Sequence, residues 1–336
     1  MRAVIALASL ALAGCATRPA MQETLLSGQT MGSAWTVKIA GPLPVDSDHL
    51  RAGVQARFDA VNLALSTYRA DSALSRFNND DSGEWVDIDA ELAEVLAYAL
   101  SLAEDSGGAY DVTVGPLVNL WGFGPDPATH RVPEAAALES ARSRVGWRKV
   151  EVDAARRHAR KAPGVRVDLS SLGKGRGVDR VAEYLDMRGV ANYLIDLSGK
   201  LRARGVNVHD APWRVAVEAP EADATSLLRP FETEVVELVD QSVATAGDYR
   251  RFFEIDGKHY SHIIDPRTGW PVTHQTVSAS AIASDCMQAD ALATVLMAMS
   301  PDAAGAFAKR RAVSALLVGR AGGEYLATRT GSWARK

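Results

Sequence analysis

The stretch Phe252–Met299 reads FFEIDGKHYSHIIDPRTGWPVTHQTVSASAIASDCMQADALATVLMAM, and the order of its patterns decides the fold class. Phe252 to Ile264 is a β-hairpin around Asp256-Gly257, a dipeptide suited to the positive φ that a two-residue hairpin turn demands. Thr276 to Ala283 reads as a further strand. Asp285 to Met299 is a strongly apolar helix. Strands follow strands before a helix arrives, without the βαβ rhythm of a doubly wound parallel sheet, so the chain reads as α+β.

The same mixture extends upstream. Strands are expected at Trp35–Ile39, Lys149–Val152, Val165–Leu169, Tyr193–Leu197 and Trp213–Val217. In Leu50 to Leu65, apolar Val54, Phe58, Val61 and Leu65 recur at helical spacing. A second helix starts after the N-cap Asp89 and stops at Gly107-Gly108. Further helices occupy Pro133 to Val145 and Val178 to Met187. No fixed-period repeat or low-complexity stretch is present.

The chain has 336 residues, 47% hydrophobic and 23% charged, which is ample for a core. Its net charge of −4 offers no general attraction to nucleic acid, which is excluded as a partner. Arg2 and the apolar run Ala3 to Leu12 form a targeting segment too short to span a bilayer. That run ends in Leu12-Ala13-Gly14-Cys15, which resembles the lipobox of exported lipoproteins; the alternative is an ordinary signal peptide with an incidental cysteine. The expected organisation is therefore a signal peptide over 1–14, a tether over 15–27 lipidated at Cys15, and a folded domain over 28–336. The mature chain would sit on the periplasmic face of a membrane, held by its lipid. Cys286 is the only other cysteine, so with Cys15 acylated the exported domain has no internal disulfide.

Five stretches carry candidate chemistry. Asp290 and Thr294 lie four apart on the apolar helix, so a carboxylate and a hydroxyl share one face amid buried neighbours. A buried carboxylate is costly unless paired or bound to metal. Hard oxygens at this spacing suit Mg²⁺, and the alternative is a pairing with a basic residue. Asp168 to Asp179 (DLSSLGKGRGVD) reads as strand, Gly-rich loop and helix start, a place where backbone N–H groups can meet a phosphate, though such loops are also simple turns. His262 and Asp265 flank a turn forced by Pro266 and Gly269, where a histidine is a candidate base and equally an incidental polar residue. Tyr68 is a candidate stacking ring, and Asp111 in Ala109-Tyr110-Asp111 a candidate hydrogen-bond acceptor, each alternatively a packing or capping residue.

The order of these blocks resembles the ApbE family, the FAD:protein FMN transferases. Met31-Gly32-Ser33 comes first, then Ser66-Thr67-Tyr68-Arg69, Tyr110-Asp111-Val112-Thr113-Val114-Gly115-Pro116, Asp168-Leu169-Ser170-Ser171-Leu172-Gly173-Lys174-Gly175, His262 to Pro271, and Ala289 to Thr294. The resemblance implies a duplicated T-fold, antiparallel sheets backed by helices. It implies an enzyme that moves FMN from FAD to a Thr or Ser hydroxyl of an acceptor flavoprotein subunit of a membrane redox complex, releasing AMP. FAD hydrolysis and passive flavin carriage are the alternatives. By matching position, Asp290, Thr294 and the Gly173 carbonyl would hold Mg²⁺. Met31, Tyr68, Ala109, Tyr110, Asp111, Arg176 and Ile264 would line the FAD site, and His262 would lie near the chemistry with Asp265. The chain departs from the family in three places. Gly173 stands where alanine is usual and the aromatic usual near Arg176 is missing. Lys200, in Ser198-Gly199-Lys200, replaces an acid, and Thr245-Ala246-Gly247-Asp248-Tyr249 replaces a Ser-Gly-x-Tyr block.

Overall fold

The computed structural model describes residues 21–124, 130–217, 233–248, 252–321 and 324–335. The expected signal peptide, Cys15 and Tyr249 lie outside them. Strands β1 (Glu23–Thr30) and β2 (Ser33–Ala40) open the fold as a hairpin, followed by helices α1 (Ser47–Leu65) and α2 (Ala73–Asn79). Then come β3 (Val86–Asp87), α3 (Ala90–Asp105), α4 (Gly115–Leu120), α5 (Ala135–Arg142), β4 (Val150–Asp153) and β5 (His158–Lys161). Helix α6 (Ser170–Met187) leads into β6 (Tyr193–Leu197) and β7 (Lys200–Arg204). The remainder is β8 (Trp213–Val217), β9 (Glu234–Leu238), β10 (Ser242–Gly247), β11 (Phe252–Ile255), β12 (Lys258–Ser261), β13 (Thr276–Ala283), α7 (Cys286–Ala298), α8 (Pro301–Arg310), β14 (Ser314–Ala321) and β15 (Glu324–Arg329).

Among the described residues, one sheet of eight strands runs β1-β2-β6-β7-β10-β13-β14-β15. Every neighbouring pair is antiparallel. It divides into β1-β2-β6-β7 and β10-β13-β14-β15, each a pair of strands, a helical excursion and a hairpin. This is the duplication that the resemblance implies, and the α+β class stands. Leu26, Val37, Ile39, Ile195 and Leu197 share a core with α1 and α6, and Ala279, Ala281, Ala315 and Leu317 share one with α7 and α8. The other face of the sheet, including Val243, Leu316 and Val318, packs under the β8–β9 ribbon. Each leucine or phenylalanine removed from water in these layers contributes about 1.5–3 kcal/mol.

Local signals account for the ends of most elements. Asp89 caps α3 by accepting from the Leu92 N–H at 2.7 Å. Gly107 and Gly108 adopt φ of 63° and 78° just past its end. Asp256 and Gly257 take φ of 52° and 70° between β11 and β12, the signature of a type I′ turn.

Three expectations need correction. Strand β1 begins at Glu23, so residues 23–27 belong to the sheet and not to a tether; Leu26 is 4% exposed and opposite Val37. Val165–Leu169 joins no ladder, although Val165, Val167 and Leu169 are buried. Asn78 satisfies both backbone groups of Val167, at 2.7 and 2.8 Å, in place of a neighbouring strand. The largest difference is the Gly-rich stretch, which is not a loop: Ser170 onward is already α6. A Cβ on Gly175 would stand 2.4 Å from the Cys286 carbonyl oxygen, and one on Gly177 3.0 Å from the Phe58 ring. The glycines therefore let α6 press against α7 and α1, which outweighs the roughly 1 kcal/mol that a helical glycine costs.

Candidate active site

Helix α7 is apolar on nearly every side, so it is buried around its circumference, and its one carboxylate is buried with it. Asp290 is 3% exposed. Its Oδ2 accepts from the Gly175 N–H of α6 at 3.1 Å, and its Oδ1 is 3.0 Å from the Lys200 ammonium at the start of β7. Lys200 also donates to the Thr245 carbonyl at 2.6 Å. Thr294 Oγ1, one turn along, donates to the Asp290 backbone carbonyl at 3.1 Å. Of the two readings open for Asp290, the described chain displays the basic partner.

Asp179, which no sequence signal singled out, sets the position of α7. It lies on α6 and accepts from the N–H groups of Cys286 and Met287 at 2.8 Å each, while Arg202 pairs with it. Burial pushes its carboxyl above the usual range, opposed by those donors and by Arg202. A negative charge at the helix N-terminus is favourable, and here it joins α6 to the helix that carries Asp290. Its spacing of 107 and 108 residues from the two N–H donors left nothing local to read.

The first turns of α6 gather several of the expected nucleotide residues. The Tyr110 hydroxyl and Ser171 Oγ are 2.8 Å apart, and burial pushes the phenol well above its ordinary range. Lys174 donates to Ser33 Oγ at 3.0 Å. Met31 occupies the β1–β2 turn at φ 48°, an unusual conformation for a long side chain, and its Cε approaches Gly177. Gly173 is buried at the backbone yet has open space where a Cβ would point, so a methyl group would fit there. Tyr68 is 66% exposed at the end of α1, available for stacking.

Other expected residues are committed elsewhere. Arg176 turns to α3 and pairs with both Glu91 and Glu94, with Arg180 beside it on the same glutamates, so its charge braces two helices. Asp111 accepts from Thr113 N at 2.8 Å and Thr113 Oγ1 at 2.6 Å through Oδ1 and from Trp147 N at 2.8 Å through Oδ2, so one oxygen organises its own turn and the other ties that turn to the Trp147 segment. Burial raises its carboxyl and these donors oppose the rise. Asp265 is held by Arg267 through two side-chain contacts of 2.9 Å and accepts the Arg267 N–H as well, so it braces the Pro266 turn.

His262, half-buried, follows β12 and meets Phe123 edge-on at 6.2 Å between ring centres. The segment after it splits. Ile263 enters the core that contains α7, and Ile264 enters an aromatic cluster with Trp121, Phe123 and Phe253. A cleft of about 880 Å³ runs past Ala109, Asp265, Trp270, Pro271 and His274. Asp290, Thr294 and Gly173 do not line it. His274, at this cleft, was also missed by the sequence reading; burial lowers its imidazole below its ordinary value.

Among the described residues no three His, Cys, Asp or Glu side chains cluster as a metal would need. A metal at α7 would therefore depend on one carboxylate, a hydroxyl and a carbonyl, completed by water and substrate oxygens. That is a hard-oxygen set of the kind Mg²⁺ accepts. The donor chemistry fits, with the Lys200 ammonium as a resident neighbour.

Comparison with known proteins matches this arrangement. The model of the ApbE family matches residues 31–317. A Vibrio cholerae protein named FAD:protein FMN transferase is 41% identical over 317 residues, covering 94% of this chain and 92% of its own. Its Escherichia coli counterpart of the same name is 34% identical over 333 residues, with 96% and 93% covered. The solved structure of a flavin transferase ApbE from Vibrio cholerae superposes with a TM-score of 0.86 at 37% identity, covering 94% of this chain and 99% of that one. An ApbE protein from Thermotoga maritima superposes at 0.80 with 26% identity, over 94% and 99%. With matches spanning almost the whole sequence and both halves of the sheet, this chain belongs to the ApbE family.

Proposed function

We propose that the chain is an FAD:protein FMN transferase that moves the FMN moiety of FAD onto a Thr or Ser hydroxyl of an acceptor flavoprotein. The observation that carries the reading is the 41% identity, over nearly the full chain, to a protein of that name. In the reaction the acceptor oxygen attacks the FMN phosphorus and the bond from phosphorus to the bridging oxygen of the pyrophosphate breaks. AMP leaves with that oxygen, and the hydroxyl proton passes to an imidazole nitrogen of His262. A Mg²⁺ held by Asp290, Thr294 and the Gly173 carbonyl would neutralise pyrophosphate charge when bound. Met31 and Tyr110 on the α6 side, with exposed Tyr68, would bind and orient the nucleotide, and Ile264 would hold an apolar wall beside it.

The test is incubation of the protein with FAD, Mg²⁺ and a purified flavin-acceptor domain, read by mass spectrometry. An acceptor heavier by one FMN phosphoryl unit, with one AMP released per label, is the expected outcome. FMN and AMP without labelled acceptor would make it a pyrophosphatase, and FAD retained unchanged would make it a carrier.

The acceptors would be flavoprotein subunits of membrane redox complexes, reached from the periplasmic face through a lipid on Cys15. No helix among the described residues is long and apolar enough to cross a membrane. Leu12-Ala13-Gly14 before Cys15 supports lipid attachment. Cys15→Ser is therefore expected to move the protein from the membrane pellet to the soluble fraction, and full membrane partitioning of this variant would overturn the anchor.

A further inference from the structure

The Lys200–Asp290 pair has a consequence for any metal at α7. The Ser198-Gly199 turn, with φ of 52° and 81°, sets Lys200 opposite both Leu197 and Ala244, on the sheet face that the helices cover. From there the ammonium reaches Asp290 Oδ1 at 3.0 Å, with side-chain exposures of 12% for Lys200 and 4% for Asp290. The other carboxylate oxygen is occupied by the Gly175 N–H. Both oxygens of the only carboxylate in the metal set are thus engaged by the protein itself.

A monovalent cation already stands where a divalent one would be drawn. A divalent ion entering this site must take Oδ1 from the ammonium and then tolerate a positive charge a few ångströms away, an interaction weakly screened at this depth. We infer that Lys200 is a resident competitor for the Asp290 metal site: it holds the carboxylate in place without metal and weakens divalent-cation binding. The inference rests on the metal reading given under the proposed function. The ammonium yields Oδ1 at no loss only where another anion can receive it, such as the pyrophosphate of the nucleotide, so the charge of Lys200 serves the substrate once it has left Asp290.

The experiment is titration of the nucleotide-free protein with Mn²⁺, following the free-ion signal by electron paramagnetic resonance, in parallel with thermal unfolding with and without Mn²⁺. Lys200→Met is expected to bind Mn²⁺ at least tenfold more tightly than the parent and to gain more in Tm from it. Lys200→Arg, which keeps the charge, is expected to bind as weakly as the parent. Should Lys200→Met fail to fold alone, Lys200→Gln or refolding with Mn²⁺ present gives the same comparison. Equal Mn²⁺ affinity in parent and Lys200→Met would overturn the competitor role and leave the metal reading standing. Absence of Mn²⁺ binding in parent and all three variants would overturn both.

Discussion

Asp290→Ala is expected to abolish most flavin transfer and also to destabilise the fold. On activity, loss of the carboxylate removes the only charged member of the proposed metal set, and removing one preorganised electrostatic contact typically costs on the order of 10²–10³-fold in rate. On stability, burial of Asp290 alone suggests relief on its removal. The pairing reverses that sign, because the variant leaves the Lys200 ammonium facing a methyl group with only the Thr245 carbonyl as acceptor, and removes the carboxylate oxygen from the Gly175 N–H. Breaking one side of a buried pair costs about 3–5 kcal/mol, less whatever Lys200 recovers by bending to solvent. The double variant Asp290→Ala/Lys200→Met, which leaves no unpaired charge, is expected to regain part of that loss. Urea unfolding reads the stability, and in-gel flavin fluorescence of an acceptor reads the rate. Parent-like stability in Asp290→Ala would show that the ion pair contributes nothing, and parent-like labelling would remove Asp290 from the reaction.

His262→Ala is expected to leave FAD affinity nearly unchanged while slowing acceptor labelling by on the order of 10²–10⁴-fold, the usual contribution of a positioned general base. An acceptor hydroxyl has a high pKa and must lose its proton as phosphorus is attacked. Asp265, the other proposed base in the same block, has both oxygens engaged by Arg267, so the proposed function assigns the proton first to His262. The paired measurement is FAD dissociation by fluorescence quenching and initial labelling rate. Full labelling by His262→Ala would return the role to Asp265 or His274. Lost FAD affinity with an unchanged rate at saturating FAD would make His262 a binding residue.

Legibility in the sequence followed the range of the interaction that fixes each feature. Tyr193–Leu197 and Trp213–Val217 are found at the expected residues because their alternating burial prints its period directly into the chain, and Thr276–Ala283 because its polar and apolar residues alternate in the sequence although both of its faces are covered. The N-cap at Asp89 and the Asp256-Gly257 turn were equally local. Strands β1, β7, β10, β14 and β15 gave no usable signal. Their alternation is weak where both sheet faces are covered, as in Ser242–Gly247, or where a strand lies at the edge, as in Glu23–Thr30. Glycines misled at α6, since a residue without a side chain looks the same whether it opens a loop or admits a neighbouring helix.

By itself, the sequence determined the α+β class, the β11–β12 hairpin, the Asp89 helix cap, and the burial of Asp290 on an apolar helix. The ordered motif blocks added the family. All of these are set by residues within a few positions of one another or by patterns carried along the chain. Tertiary structure alone decided the sheet order that joins the two halves at β7 and β10, the seating of α6 on α7 through Gly175, and the Asp179 cap on a helix distant in sequence. It also decided that Arg176 is spent on Glu91 and Glu94 and that Asp290 meets Lys200. The physical reason is that a charge in the sequence states a need for a partner without naming one. The partner is whichever opposite charge the fold carries to within about 3 Å, where Coulomb attraction and a short-range charge-assisted hydrogen bond act together.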